Sequence, residues 1–78
     1  MNPDVGEVRE YDTSMLKDKD SCGRIVYVVL EKHKEGASVV FLSVEKESEG
    51  ARVGQVRWYA YNQPLFLFSD IVALGPLC

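Results

Sequence analysis

The sequence predicts an all-β fold, a small five-stranded antiparallel barrel, and three observations carry that expectation. Short runs rich in β-branched and aromatic residues recur through residues 24–74. Polar segments closed by glycine separate several of them, and no stretch holds a sustained apolar stripe of helical period. At 78 residues the chain has room for one domain, with a core too small for a buried multi-residue catalytic centre and a cofactor cleft.

Taken in order, residues 1–20 read as an acidic N-terminal arm, partly ordered at most, ahead of a barrel domain spanning residues 21–78. Asn2-Pro3 and Gly6 discourage regular structure, and Val5, Val8, Tyr11, Met15 and Leu16 are the arm's apolar anchors. Val8, Tyr11 and Met15 fall at helical spacing, and Asp12-Thr13-Ser14 suits the cap of a short turn. An irregular arm laid over the barrel fits the same residues. Lys17 to Ser21 is a solvated link.

The first long strand is Arg24 to Glu31, and Lys32-His33-Lys34-Glu35-Gly36 turns the chain. The second is Ala37 to Glu45, ending in Lys46-Glu47-Ser48-Glu49-Gly50. Both junctions have the length of hairpin loops, so the neighbours are expected to be antiparallel. The third strand, Arg52 to Tyr61, contains Gly54, where a bulge or bend lets the sheet curl. Asn62-Gln63-Pro64 breaks it, since proline offers no ladder donor. Leu65–Phe68 and Ile71–Leu74 are expected as short fourth and fifth strands, with Ser69-Asp70 as a turn or cap pair between them. Closure would remove the exposed edges of such apolar strands.

Gly23 before the first long strand, Trp58 in the third, and the ending Phe68-Ser69-Asp70-Ile71-Val72-Ala73-Leu74 give the chain its likeness. At the level of superfamily it resembles the SH3-like and Tudor-like barrels, whose last strand follows a short 3₁₀ turn. The resemblance implies a binding module and leaves the ligand open. The acidic, aromatic loop with which SH3 domains take proline-rich peptides has no counterpart here.

Composition excludes several classes. The longest apolar run, Ile25 to Leu30, is far short of the ~20 residues that cross a bilayer. The opening MNPDVGEVRE lacks the basic-then-apolar layout of a secretory signal, so the expected location is the cytoplasm of a cell or of a host, without membrane contact. Two cysteines, Cys22 and Cys78, make neither a disulfide framework nor a zinc site. A single bridge between them is possible by count, with a buried Cys22 and a loose terminal thiol as the plainer reading. The whole net charge of −3 falls within residues 1–20, and residues 21–78 are neutral. A duplex-binding domain shows a basic excess that is missing here.

No catalytic, cofactor or metal site is expected. His33, the one histidine, lies between Lys32 and Lys34 in a solvated turn, a poor setting for a general base. Ser69 and Asp70 are adjacent, so on a strand they point to opposite faces. Glu45, Glu47 and Glu49 keep a hairpin soluble, whereas paired carboxylates must meet across a cleft. Gly36, Gly50, Gly54 and Gly75 are too scattered to cradle a phosphate.

What remains is surface. Val56, Trp58 and Ala60 alternate with Arg57, Tyr59 and Tyr61. With the first set toward the core, Arg57, Tyr59 and Tyr61 form the candidate partner-binding face, built of residue types that dominate recognition hot spots. The reverse facing, with Trp58 outward and the tyrosines inward, is the less favoured alternative, open because Gly54 can shift register. The first two long strands are apolar on both faces, yet a small barrel has one inside. The surplus face, with Val26, Val28, Val40 and Leu42, is therefore expected to be an interface with a second copy or an obligate partner. The expected function is a non-enzymatic protein-interaction module, an adaptor or inhibitor that occupies a partner's surface. A single-stranded nucleic-acid binder using the Tyr/Arg platform is the alternative, disfavoured by acidity.

Overall fold

A computed structural model describes residues 3–13 and 23–74. Five strands form one antiparallel sheet: β1 (Glu7–Asp12), β2 (Arg24–Lys32), β3 (Gly36–Val44), β4 (Val56–Ala60) and β5 (Asp70–Leu74), in the order β4-β3-β2-β1-β5. One helical turn, α1 (Pro64–Leu67), leads from β4 to β5. The chain is all-β as expected, but the sheet is not closed, with β4 and β5 as its edges. Among the described residues no helix is long and apolar enough to cross a membrane.

Five strands were expected, but not these five. Glu7–Asp12 is no irregular arm: it pairs with β2 on one side and β5 on the other. Its alternation is hidden in the sequence because the residues it turns inward are Glu7, Arg9 and Tyr11. The buried charges are paired, with Arg9 Nε donating to Glu7 Oε1 at 2.9 Å. An inward ion pair reads as a solvated face until its partner is seen.

The opposite correction applies to Leu65–Phe68, expected as a strand. Pro64 begins a helical turn there, its fixed φ suiting a first helical position. Leu65 and Phe66 pack on the sheet, while Leu67 and Phe68 stay exposed. A four-residue apolar run carries no period by which to tell the two states apart. Gly54, with φ of +86°, sits in a tight turn closed by Gln55 N to Arg52 O. The bend thus lies ahead of β4, which starts at Val56 rather than Arg52. The readings at Met15-Leu16, at Lys17–Ser21 and at Cys22 and Cys78 lie outside the described residues.

The core is the inner face of the sheet, built on Tyr27, Val29, Ala37, Val39 and Phe41 and covered by Leu65 and Phe66. A polar network ties α1 to the strands beneath it. Arg9 Nη1 donates to Phe66 O and to Ser69 Oγ, each at 3.2 Å. The Tyr27 hydroxyl donates to Leu65 O at 2.8 Å and lies 2.9 Å from Ser69 Oγ, whose proton it can accept. Ser69 Oγ also lies 3.4 Å from Phe66 O, so the residue closes the end of the turn, as a cap does, and bridges it to the strands. Burial pushes the Tyr27 phenol up to about 12, against the smaller opposing pull of Ser69 and Arg9.

Candidate interaction surface

Directly opposed residues of an antiparallel pair share a face, and this rule locates the surface. Ala37 opposes Tyr59 and Val39 opposes Arg57, and both Ala37 and Val39 are completely buried. Arg57 and Tyr59 must therefore point inward. Tyr59 stacks on Phe41 with centroids 6.4 Å apart and meets Phe66 edge-on, while Tyr61 packs against Phe66 at 6.0 Å. The Tyr61 hydroxyl donates to His33 O at 2.6 Å. Arg57 is half-buried, and its Nε is enclosed with no hydrogen-bond partner among the described residues.

The three expected contact residues do share one face, but the facing is the reverse of the favoured one. Trp58 is 51% exposed and Val56 60% exposed. The physical reason is room: Tyr59 fills the space over the small Ala37 and next to Phe41. No rule of single-sequence alternation contains that fit.

The candidate surface is therefore the outer face. One row crosses four strands as Val56, Val40, Val28 and Val8, each opposite the next. Val26 and Leu42 lie on the same face, toward one end, and Trp58 opposes Ser38 toward the other. Val26, Val28 and Val40 are half-buried, and Leu42 is 46% exposed. Leu30, 44% exposed, extends the apolar surface where the pairing of β2 with β3 shifts register. The Trp58 ring rests on Gly36: a Cβ there would meet both the ring and the carbonyl of Tyr59. Glycine at that position gives the edge tryptophan a flat seat without burying it.

The rim carries both signs. Arg24 Nε lies 3.7 Å from Glu10 Oε1 at one end, and Lys32 Nζ lies 3.4 Å from Asp4 Oδ1 at the other. These exposed pairs contribute little stability, roughly 0–1 kcal/mol. His33 Nε2 lies 3.3 Å from the Oγ of Ser38, the tryptophan's cross-strand neighbour. Among the described residues no three His, Cys, Asp or Glu side chains group to hold a metal ion.

Of the residues on this surface, Val26, Val28, Val40 and Leu42 were singled out from sequence, by the double apolar face of the long strands. Trp58 and Val56 were assigned to the core, and Gly36 was given only a turn. Comparison with protein-family models, with curated proteins and with solved structures finds no match to this chain.

Proposed function

We propose that this chain is a non-enzymatic protein-interaction module of the cytoplasm, an adaptor or inhibitor that occupies a partner's surface with the outer face of β2, β3 and β4. The observation that carries the reading is the contiguous apolar face containing Trp58, Val56, Leu42 and Leu30, each 44% exposed or more. An exposed apolar surface of that kind, rimmed by charge, marks a contact site. Tryptophan held in a fixed place is a favoured anchor, because little rotamer freedom is lost when it is covered. A rim of mixed sign suits a protein partner, whereas an anionic membrane surface calls for clustered basic residues.

We further infer that the domain is of the SH3-like small-barrel type. The order β4-β3-β2-β1-β5, with a helical turn between β4 and β5, supports this reading. The Tyr/Arg platform for single-stranded nucleic acid gains no support, since the Tyr59 and Tyr61 rings pack on Phe41 and Phe66.

The test places a photo-crosslinking benzoylphenylalanine at Leu42, at Val56 or, as a control, at the exposed Glu35 in the β2–β3 turn. One partner protein should crosslink from the first two positions and not from the third, and Val40→Asp should abolish the adduct. Crosslinking equal from all three positions would sink the proposal, as would adducts indifferent to Val40→Asp. Light scattering shows whether the partner is a second copy of the chain.

A further inference from the structure

β4 is an edge of the sheet, and part of its backbone faces away from β3. Phe41 N–H donates to Gln55 O and Tyr61 N–H donates to Glu35 O, each at 3.1 Å, so the odd-numbered residues bond to β3. Bonding direction alternates along an antiparallel strand, and Val56, Trp58 and Ala60 therefore present their N–H and C=O groups outward. Ala60 is already closed: its N–H donates to Gln63 Oε1 and its carbonyl accepts from Gln63 N–H, both at 3.1 Å. The outward backbone groups of Val56 and Trp58 have no partner among the described residues. The opposite edge, β5, is a poorer template. Its pairing with β1 shifts register between Val8 and Arg9, a distortion of the kind that blunts an edge, whereas the β3–β4 ladder runs without a shift.

Arg57 sets what this edge can accept. It lies between the two open residues, half-buried on the inner face, with no carboxylate in ion-pair distance among the described residues. A strand added antiparallel would exchange bonds with Val56 and Trp58. One of its residues would then sit directly opposite Arg57, in the close type of pair with Cα atoms ~4.5 Å apart. A second copy of β4 in that register sets Arg57 against Arg57, and like charges directly opposite are destabilising. The cation that keeps copies of this chain apart thus favours an incoming acid. The acids of β1 are no obstacle. They are three strands away, ~14 Å at ~4.8 Å per strand, beyond the ~8 Å screening length at physiological salt.

We propose that the open edge of β4 takes up an extended protein segment with a glutamate or aspartate opposite Arg57, and with apolar residues on either side of that acid beside Val56 and Trp58. The main-chain bonds supply affinity and the acid supplies specificity. The site is a strand edge, and the inference does not rest on the reading of the outer face above.

Capped pentapeptides in the order threonine, valine, X, valine, threonine test it, with X as glutamate, glutamine or lysine. In the full chain, the Val56 and Trp58 amide protons should exchange more slowly and shift downfield with the glutamate peptide at millimolar concentration. Its affinity should exceed that of the glutamine peptide about five-fold, with the lysine peptide weaker again. N-methylation of both valines removes the donors that ladder the edge and should abolish binding. Arg57→Gln should bind the glutamate and glutamine peptides alike; were that variant not to fold, the order of the three peptides on the native chain still decides. Failure of every peptide to bind would show that Arg57 only guards the edge, and would overturn the proposal. So would equal affinity for the glutamate and lysine peptides, or a preference that survives Arg57→Gln. Val56 and Trp58 amides already protected in the free protein would also overturn it, because the edge would then be covered.

Discussion

Arg9→Met tests the placement of β1 more severely than any other single change. The guanidinium makes three contacts: Glu7 Oε1 at 2.9 Å, and Phe66 O and Ser69 Oγ at 3.2 Å each. The two charged side chains are 9% and 11% exposed, so their pairing is little screened by solvent. Removing the cation leaves the Glu7 carboxylate enclosed and unpaired, which costs roughly 3–5 kcal/mol. A chain of this length is expected to hold about 4–12 kcal/mol in all, so the variant should be near the edge of folding. With a urea slope of about 1 kcal/mol per M, its midpoint should fall by about 3–5 M. Glu7→Leu combined with Arg9→Met removes both desolvation terms together and should recover most of that loss. Urea unfolding followed by circular dichroism gives all the corners of the cycle. A loss below about 1 kcal/mol for Arg9→Met would show that the pair is solvated and that Glu7–Asp12 does not lie inside the sheet. A double variant as weak as the sum of the singles would show that the two charges are not coupled.

Other consequences follow from the facing of β4 and from the buried phenol. Trp58→Ala should cost about 1 kcal/mol or less, against about 3–5 kcal/mol for a buried tryptophan. Trp58 emission should be red-shifted and quenched by iodide; a blue-shifted, protected emission would restore the core assignment. Gly36→Ala forces a Cβ against the Tyr59 carbonyl and the Trp58 ring. It should destabilise by about 1–3 kcal/mol and alter the Trp58 emission, and an unchanged spectrum would refute the seat. The Tyr27 phenol titrates at about 12 in the fold against an ordinary value of 10.0. Because its folded-state value is raised, its contribution is intact below pH ~10 and is lost as pH climbs toward ~12. Stability measured across that window should fall more steeply in the native sequence than in Tyr27→Phe, and parallel slopes would exclude the effect.

The spacing of apolar and turn residues was enough for the class of fold and the two long strands. Arg24–Glu31 and Ala37–Glu45 were legible because β-branched residues crowd them and glycine-closed polar turns bound them. It also showed that those strands have apolar residues on both faces, and hence that Val26, Val28, Val40 and Leu42 form a surplus surface. That conclusion needs only the two-residue period of a strand. Tertiary structure decided what depends on a neighbour. Glu7 and Arg9 look like solvent-facing charges until each supplies the other's partner under α1. Leu65–Phe68 is apolar enough for either state, and Pro64 together with the open side of the sheet made it a helical turn. The facing of β4 turned on one fit, Tyr59 over Ala37 against Phe41, with Trp58 left to lie across Gly36. Alternation gives two faces without saying which is inside. The choice rests on the volumes of residues far away in the chain, and those meet only when the sheet is assembled.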